Sequence, residues 1–153
     1  VTEVLANPLG PEPQQEWVEI VNDGAIAVSL DGYVLEDLGG ATPLPAALLA
    51  PGEHALVVRG DFTLDDGLDV VVPAVARLVV VETLGKNGLS NTGEPLILRA
   101  PDGTEMSKFP ALPKPKAGVS SARRRVFDLD HDPTAFSHHA DPGASPGAPN
   151  TVP

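Results

Sequence analysis

The chain has 153 residues, 42% of them hydrophobic, which is enough for one domain with a buried core. Gly 15 and Pro 17 together make about a fifth of the chain, and this many helix breakers excludes a helical bundle or a coiled coil. The 21 Asp and Glu residues outnumber the 10 Lys and Arg residues, and the net charge of −11 disfavours non-specific binding to nucleic acid.

Three absences narrow the function classes further. The chain has no cysteine, which excludes disulfides, thiolate zinc sites, iron–sulfur clusters and cysteine nucleophiles. No apolar run approaches the roughly 20 residues that a membrane-spanning helix needs, so the sequence predicts no membrane span. No Walker loop, dinucleotide fingerprint or zinc-protease motif is present, and we therefore expect no organic cofactor.

The first sixty residues predict short strands joined by turns. β-Branched and aromatic residues cluster in segments that Gly, Pro or Asp-Gly turns bring to an end. These segments are residues 3–6, 16–22, 33–37 and 54–59. Residues 43–49 contain two prolines, which indicates an edge or irregular segment, and residues 46–49 are a weak helical candidate.

The strand pattern continues after an acidic loop at residues 61–69. The run at residues 77–81 is rich in β-branched side chains and predicts a fully buried strand. Residues 95–99 and 105–109 flank a Pro-Asp-Gly turn and predict a hairpin. Residues 119–127 predict one last strand.

The composition changes near the C-terminus of the sequence, where His, Asp, Pro, Gly and Ala replace the large apolar residues. Such a segment has little to bury and is expected to lie on the surface as coil. We therefore divide the chain into a folded domain, residues 1–136, and a C-terminal surface coil or tail, residues 137–153.

Eight or nine short strands at roughly ten-residue spacing predict an all-β, antiparallel β-sandwich. Side chains two residues apart share one face of a strand, so alternation assigns the inner faces of the two sheets. The predicted inner residues are Val18, Ile20, Val34, Leu56, Val58, Leu96 and Leu98. Trp17, the only tryptophan, is expected to pack in the core or at its rim.

Several segments together resemble the bacterial lamin-tail domain family. They are EWVEIVN at residues 16–22, LDGYVL at 30–35, LAPGE at 49–53, LSNTGEPLIL at 89–98 and SPGAPN at 145–150. The segments occur in the family's order along essentially the whole chain. Two features depart from the family: the chain is far more acidic than a chromatin-binding lamin tail, and residues 64–81 look like an insertion.

The resemblance implies an immunoglobulin-like sandwich of Greek-key topology with no catalytic role. It implies a module that mediates protein docking, adhesion or targeting within a larger secreted or surface bacterial protein. The expected location is therefore extracellular, periplasmic or at the cell surface. A protein partner of unknown identity is expected, nucleic acid is disfavoured as a partner, and the oligomeric state is left open.

The segment 128–132 carries the pattern with which a calcium loop begins. Asp128, Asp130 and Asp132 stand at alternate positions, and clustered carboxylates repel one another unless a cation or water relieves them. Pro133 and His139 stand where an EF-hand loop needs glycine and glutamate, which excludes an EF-hand. An irregular surface calcium site remains, and it supports an alternative function as a calcium-stabilised structural spacer.

Two further patterns bear on function. The basic stretch 108–125 contains six Lys and Arg residues and no acid; it is typical of a solvated face, or of a module that presents nucleic acid to a fused nuclease. Residues 143–147 match the nucleophile-elbow pattern around Ser145, but Pro146 lacks the backbone N–H that an oxyanion hole would use. No strand and helix are predicted around the serine, so we interpret this segment as a turn.

Overall fold

The structure is a computed structural model, and it describes residues 1–140 and 143–152. The strands in chain order are β1 (Glu3–Leu5), β2 (Trp17–Val21), β3 (Val28–Ser29), β4 (Val34–Glu36), β5 (Ala41–Pro43), β6 (Leu48–Leu49), β7 (His54–Arg59), β8 (Arg77–Val81), β9 (Leu96–Arg99), β10 (Glu105–Phe109), β11 (Ser121–Arg123) and β12 (Phe136–His138). A 3-10 helix, Pro133–Ala135, precedes β12. The described residues contain no α-helix, and none of their helical segments has the length and apolar character needed to cross a membrane.

The strands form three sheets. The larger sheet has six strands in the order β12-β11-β1-β2-β7-β8, and the smaller sheet has four in the order β10-β9-β4-β5. Strands β3 and β6 make a separate pair. Neighbouring strands are antiparallel except for β7 and β8, which run parallel. The all-β class is therefore confirmed, and the antiparallel-rich sheets are consistent with a β-sandwich.

A common core joins the sheets. Val18, Ile20 and Val57 of the larger sheet pack into the same buried cluster as Leu35 and Leu98 of the smaller sheet. At one side of the cluster the rings of Phe109 and Phe136 meet edge to face, with centroids 5.0 Å apart. Burial of these apolar surfaces is the main force that holds the two sheets together.

The outer face of the larger sheet is also covered. A parallel pair of strands needs a long connection, and residues 60–76 between β7 and β8 provide it. Side chains of this connection pack on a second buried cluster that contains Leu5, Trp17, Leu56, Val58 and Ala144. Of residues 64–81, which looked like an insertion, residues 64–76 lie in the crossover that shields this face from water, and the rest form β8. Trp17 packs on this face, as expected.

The predicted inner faces are correct for four of the seven residues named above and wrong for the other three. Val18, Ile20, Leu96 and Leu98 lie in the core between the sheets, whereas Leu56 and Val58 lie in the outer cluster. Strand β7 is buried on both faces from residue 55 to residue 58, so its sequence has no polar alternation that marks the inward side. In β4 the core residue is Leu35, and Val34 is only half-buried.

Two expectations about individual segments also change. The run 77–81 is a strand, but it lies at the edge of the larger sheet with Arg77 and Val80 exposed, so the prediction of full burial was wrong. Residues 46–49 are not helical, because Leu48–Leu49 pairs with Val28–Ser29 instead.

The C-terminal segment is irregular but is held against the sheet. Strand β12 spans residue 137, where we placed the boundary between domain and tail, and it pairs with β11. Beyond it, Ala144 is buried in the outer cluster and the Asn150 amide donates to the backbone carbonyls of Thr2 and Arg123 at 2.9 and 2.8 Å. Asp141, Pro142 and Pro153, which belong to the predicted tail, lie outside the described residues.

Candidate functional site

The three predicted calcium ligands lie in the loop that follows β11, but each has a different environment. Asp130 forms an ion pair with the Arg123 guanidinium and also accepts a hydrogen bond from the backbone N–H of Lys108 at 2.5 Å. Asp132 caps the 3-10 helix by accepting from the hydroxyl and backbone N–H of Thr134 at 2.7 and 2.8 Å, and these bonds lower its pKa. The backbone carbonyl of Asp128 accepts from Arg123 Nη1 at 2.5 Å.

These contacts give Asp130 a positively charged partner within the protein. Across residues 1–140 and 143–152, no three His, Asp or Glu side chains form a group that could hold a metal ion. Calcium binding by Asp128, Asp130 and Asp132 stays a prediction, which a melting experiment can decide.

The basic stretch 108–125 is divided between the interior and the surface. Arg123 is buried, with its guanidinium carbon 4.9 Å from the centre of the Phe136 ring. Arg124 is exposed and donates to the backbone carbonyl of Thr134 at 2.8 Å. Arg123 therefore does not belong to an exposed basic face, and the function of the other cations stays a prediction.

A cavity of about 630 Å³ opens between the two larger sheets, at the end where β2 and β11 finish. Its inner wall consists of core residues, among them Ile20, Leu30, Leu49 and Leu98. Its outer walls are the loops at residues 22–24 and 126–131, so Asp128 and Asp130 of the calcium candidates form part of its rim. The cavity is within the range of volumes that suits a small ligand or a few side chains of a partner.

Several polar groups of the cavity wall are bound to the protein itself. The Asn22 amide donates to the carbonyls of Ile26 and Leu49 at 2.8 and 3.0 Å, which fixes the loop after β2. Arg123 Nη2 donates to the Ser107 hydroxyl at 3.3 Å in addition to its contact with Asp130. An occupant would therefore gain mainly from the apolar part of the wall.

The rim of the cavity carries large apolar side chains that face solvent. Phe127 is 82% exposed, Leu129 is 61% exposed and Met106 is 54% exposed. Single exposed apolar residues are ordinary, but a group of them around one opening is typical of an interaction site. We name this region the apolar end and define it as the cavity with loops 22–24 and 126–131.

A second polar region lies on the outer face of the larger sheet, where β1 and β2 place Glu3 and Glu19 directly opposite each other. Both side chains are fully buried. Glu3 accepts from the Ser120 hydroxyl at 2.5 Å and from the Ser145 backbone N–H and hydroxyl at 2.9 and 2.8 Å. Burial raises the pKa of Glu3, although these hydrogen bonds oppose the shift.

Glu19 holds three segments of the chain together. Its Oε1 accepts from the Thr2 hydroxyl at 2.7 Å and from His54 Nδ1 at 2.9 Å, and its Oε2 accepts from the Gly147 backbone N–H at 2.8 Å. The hydrogen bond to Glu19 raises the pKa of His54. Gly147 adopts φ +77°, a conformation that side chains disfavour, which explains the need for glycine in this turn. We call Glu3, Glu19 and their bonded partners the carboxylate clamp.

A third buried carboxylate belongs to Glu16, just before β2. Its Oε2 accepts from the backbone N–H of Leu89 at 2.7 Å, across 73 residues of sequence. Burial raises the pKa of Glu16 to about 7. Glu16 thus ties the loop between β8 and β9 to the start of β2, and we expect this tie to depend on pH.

Ser145 of the nucleophile-elbow pattern lies in the clamp. Its hydroxyl donates to Glu3 and lies 3.2 Å from His139 Nε2, while His139 Nδ1 lies 2.8 Å from the carbonyl of Ala140. The hydrogen bond from the backbone of Ala148 to the carbonyl of Ser145 closes a turn, as predicted. The serine and histidine contact each other, but their hydrogen bonds hold the C-terminal segment in place.

Comparisons of the chain with family models, curated proteins and solved structures find no match.

Sequence reasoning missed the apolar end and the clamp for different reasons. The apolar end is assembled from loops that are distant in sequence, and no local pattern identifies them. The clamp had a local signal, because Glu3 and Glu19 lie within strands whose neighbours are apolar, a position where a charge needs a partner. Their partners Ser145 and Gly147 lie more than 120 residues away, so only the fold pairs them.

Proposed function

We propose that the chain is a non-catalytic, lamin-tail-like docking module of the immunoglobulin-like class, part of a larger secreted or surface bacterial protein. The family resemblance of its segments and the all-β architecture support the class. The observation that carries the proposal is the apolar end, where an open cavity is bordered by exposed Phe127 and Leu129. The proposed partner is a protein segment that inserts apolar side chains into this cavity.

The energetics of the apolar end support a protein partner. Covering one exposed Phe or Leu side chain contributes about 1.5–3 kcal/mol, so Phe127 and Leu129 can supply much of the affinity of a modest complex. Aromatic side chains near the centre of an interface are common binding hot spots. The acids Asp23 and Asp128 in the wall favour a partner segment that carries basic residues beside its apolar anchors.

The polar contacts of the cavity support a non-catalytic role. Asn22, Ser107 and Arg123 are bonded to the chain itself, and each holds a wall or the core in place. The His139–Ser145 pair belongs to the outer face, and neither residue lines the cavity. Binding therefore uses surfaces at the end of the sandwich, where loops carry the function of many β domains.

A displayed peptide library selected on the immobilised domain tests the proposal. We expect the wild-type domain to enrich peptides with aromatic or aliphatic anchors and basic flanks. The Phe127→Ser/Leu129→Ser double variant should lose these peptides, because the apolar rim is gone. Leu68→Ser is the matched control, since Leu68 is also exposed but lies in the crossover and not in the cavity wall.

Two results would overturn the proposal. One is enrichment of the same peptides by the wild-type domain and the double variant. The other is the absence of any enriched family from a library that yields binders for a known docking domain in parallel.

A further inference from the structure

The two larger sheets have four edge strands, and three of these are protected against pairing with another chain. Strand β5 is three residues long and contains Pro43, which cannot donate to a neighbouring strand. Strand β10 has an irregularity between Glu105 and Ser107, and the Asp130 carboxylate takes the backbone N–H of Lys108. Strand β12 is only three residues long. Bulges, prolines and short edges are the usual protections of natural sheets.

The fourth edge strand, β8, lacks these protections. Its five residues pair in unbroken register with β7, from Arg77 opposite Ala55 to Val81 opposite Arg59. Within the described residues, no hydrogen bond joins the backbone of residues 77–81 to any segment other than β7. Val80 is 51% exposed on this strand. A regular, apolar and open edge is a template for another strand.

We propose that β8 pairs with β8 of a second copy of this chain, antiparallel about a two-fold axis at Val79. Residues directly opposite each other in such a pair lie on the same face of the sheet. Val79 therefore pairs with the partner's Val79, Val81 with the partner's Arg77, and Leu78 with the partner's Val80. Two six-stranded sheets become one continuous sheet, and the exposed Val80 side chains are covered.

The charges at the two ends of β8 favour a second copy of this chain as the strand that pairs with it. Arg77 begins β8 and Glu82 follows its last residue, and both side chains are exposed. Antiparallel pairing places each Arg77 opposite the partner's Val81, one residue from the partner's Glu82. Parallel pairing would place like charges together at both ends, which destabilises a sheet. The strand is thus complementary to itself in one orientation, as a two-fold interface requires.

The net charge of the chain determines how this association depends on salt. Each copy carries −11, so two copies repel each other at long range. The contact between the strands itself is apolar and is little affected by screening. The dimer is therefore weak at low ionic strength and tightens as salt screens the repulsion. An interface dominated by its own ion pairs would show the opposite trend.

Sedimentation of the 153-residue chain over a range of concentrations tests the proposal, which does not depend on the docking proposal. At about 0.3 M salt, where the Debye length falls well below 10 Å, we expect a species of twice the 15.8 kDa chain mass. Val80→Lys should raise the dimer dissociation constant at least about tenfold, because it places charges in the apolar contact. Leu48→Lys is the matched control: it changes an exposed apolar residue of strand β6 that lies outside both the cavity wall and β8, and it should leave the constant unchanged.

A chain that stays monomeric up to near-millimolar concentration would overturn the proposal, as would a dimer that Val80→Lys leaves intact. Thermal melting of both lysine variants verifies that they fold. The register has its own test, since the chain has no cysteine. In a Leu78→Cys/Val80→Cys variant, mild oxidation should link two copies, and a dimer that does not cross-link would exclude the proposed pairing.

Discussion

The outer face of the larger sheet buries charged side chains, whereas the apolar end exposes apolar side chains to water. On the outer face, Glu3 and Glu19 are fully buried, and their carboxylate oxygens bind chain segments that lie far apart in sequence. At the apolar end, the Asn22 amide is hydrogen-bonded to a carbonyl of its own loop, while Phe127 and Leu129 are exposed to water. On the outer face, buried carboxylates hold distant segments together. At the apolar end, apolar surface is left uncovered.

The difference indicates that the carboxylate clamp stabilises the fold and that the apolar end is available for binding. A buried carboxylate is tolerated only if hydrogen bonds satisfy it, so the clamp must stay closed in the folded state. An exposed aromatic side chain contributes little to folding and is available to a partner. Substitutions in the clamp should therefore change stability, and substitutions at the apolar end should change binding.

The largest expected effect comes from opening the clamp. Glu3→Ala removes the acceptor of three hydrogen bonds, and the backbone N–H of Ser145 loses the acceptor that it has in the structure. We expect the free energy of unfolding in urea to fall by about 3 kcal/mol. Glu105→Ala is the control, because Glu105 is exposed and makes only a 3.9 Å ion pair with Arg99. Equal losses for the two variants would contradict the role of the clamp.

The next effect is a dependence of stability on pH. The pKa of Glu16 is raised from its ordinary 4.5 to about 7, so the folded state binds a proton more tightly than the unfolded chain does. Its contribution is complete below pH 4.5 and is lost as the pH rises through about 7. The raised pKa values of Glu3 and His54 act in the same direction.

Urea unfolding at pH 5.5 and pH 8 measures this effect. We expect the Glu16 carboxyl to stabilise the domain by about 2 kcal/mol more at pH 5.5 than at pH 8, while the buried Val1 amino group, whose pKa is lowered to about 5, acts in the opposite direction. Glu16→Gln keeps an acceptor for the Leu89 N–H and removes the titrating group, so the difference between the two pH values should shift by this amount relative to the wild-type domain. An unchanged difference in this variant would show that Glu16 does not titrate as described.

Substitution of the exposed rim should change stability very little. Phe127→Ser/Leu129→Ser removes side chains that water already contacts, and we expect a change within about 0.5 kcal/mol. The same variant should lose the selected peptides, so binding and stability separate. A loss of stability as large as that of Glu3→Ala would mean that the loop 126–131 supports the core instead.

Calcium provides the smallest expected effect. Asp130 already contacts Arg123, and Asp132 caps the 3-10 helix, so we expect millimolar calcium and a chelator to give the same melting temperature. A ligand held only by the folded state must raise that temperature. A clear rise, lost in Asp130→Asn, would favour the calcium-stabilised spacer over the docking module.

The sequence predicted the strands better than it predicted their surroundings. Residues 54–59 were assigned to one strand with the observed bounds, and Leu96 and Leu98 to the core, because β-branched runs and turn residues act locally. The faces of β7 were misassigned because that strand is buried on both sides. The open edge at Val80 was missed because a run of β-branched residues looks alike in a buried strand and in an edge strand.

The candidate site was less accessible to sequence reasoning than the fold. The aspartates at residues 128–132 were identified from their spacing, but their partner Arg123 was recognisable only in the structure. The cavity depends on how the loop after β2 lies relative to the loop after β11. This arrangement is visible only in the folded structure. Contacts between distant segments, such as Glu3 with Ser145, have no local signature.

A map of the backbone amide shifts that change when a selected peptide binds the isotope-labelled domain tests the docking surface residue by residue. We expect the perturbed amides to cluster at residues 22–24, 106–107 and 126–131, around the cavity. The carboxylate clamp, monitored at Ser145 and Gly147, should show no change. Shifts concentrated at the clamp or along β8, with the apolar end unaffected, would contradict the claim that this end is the docking surface.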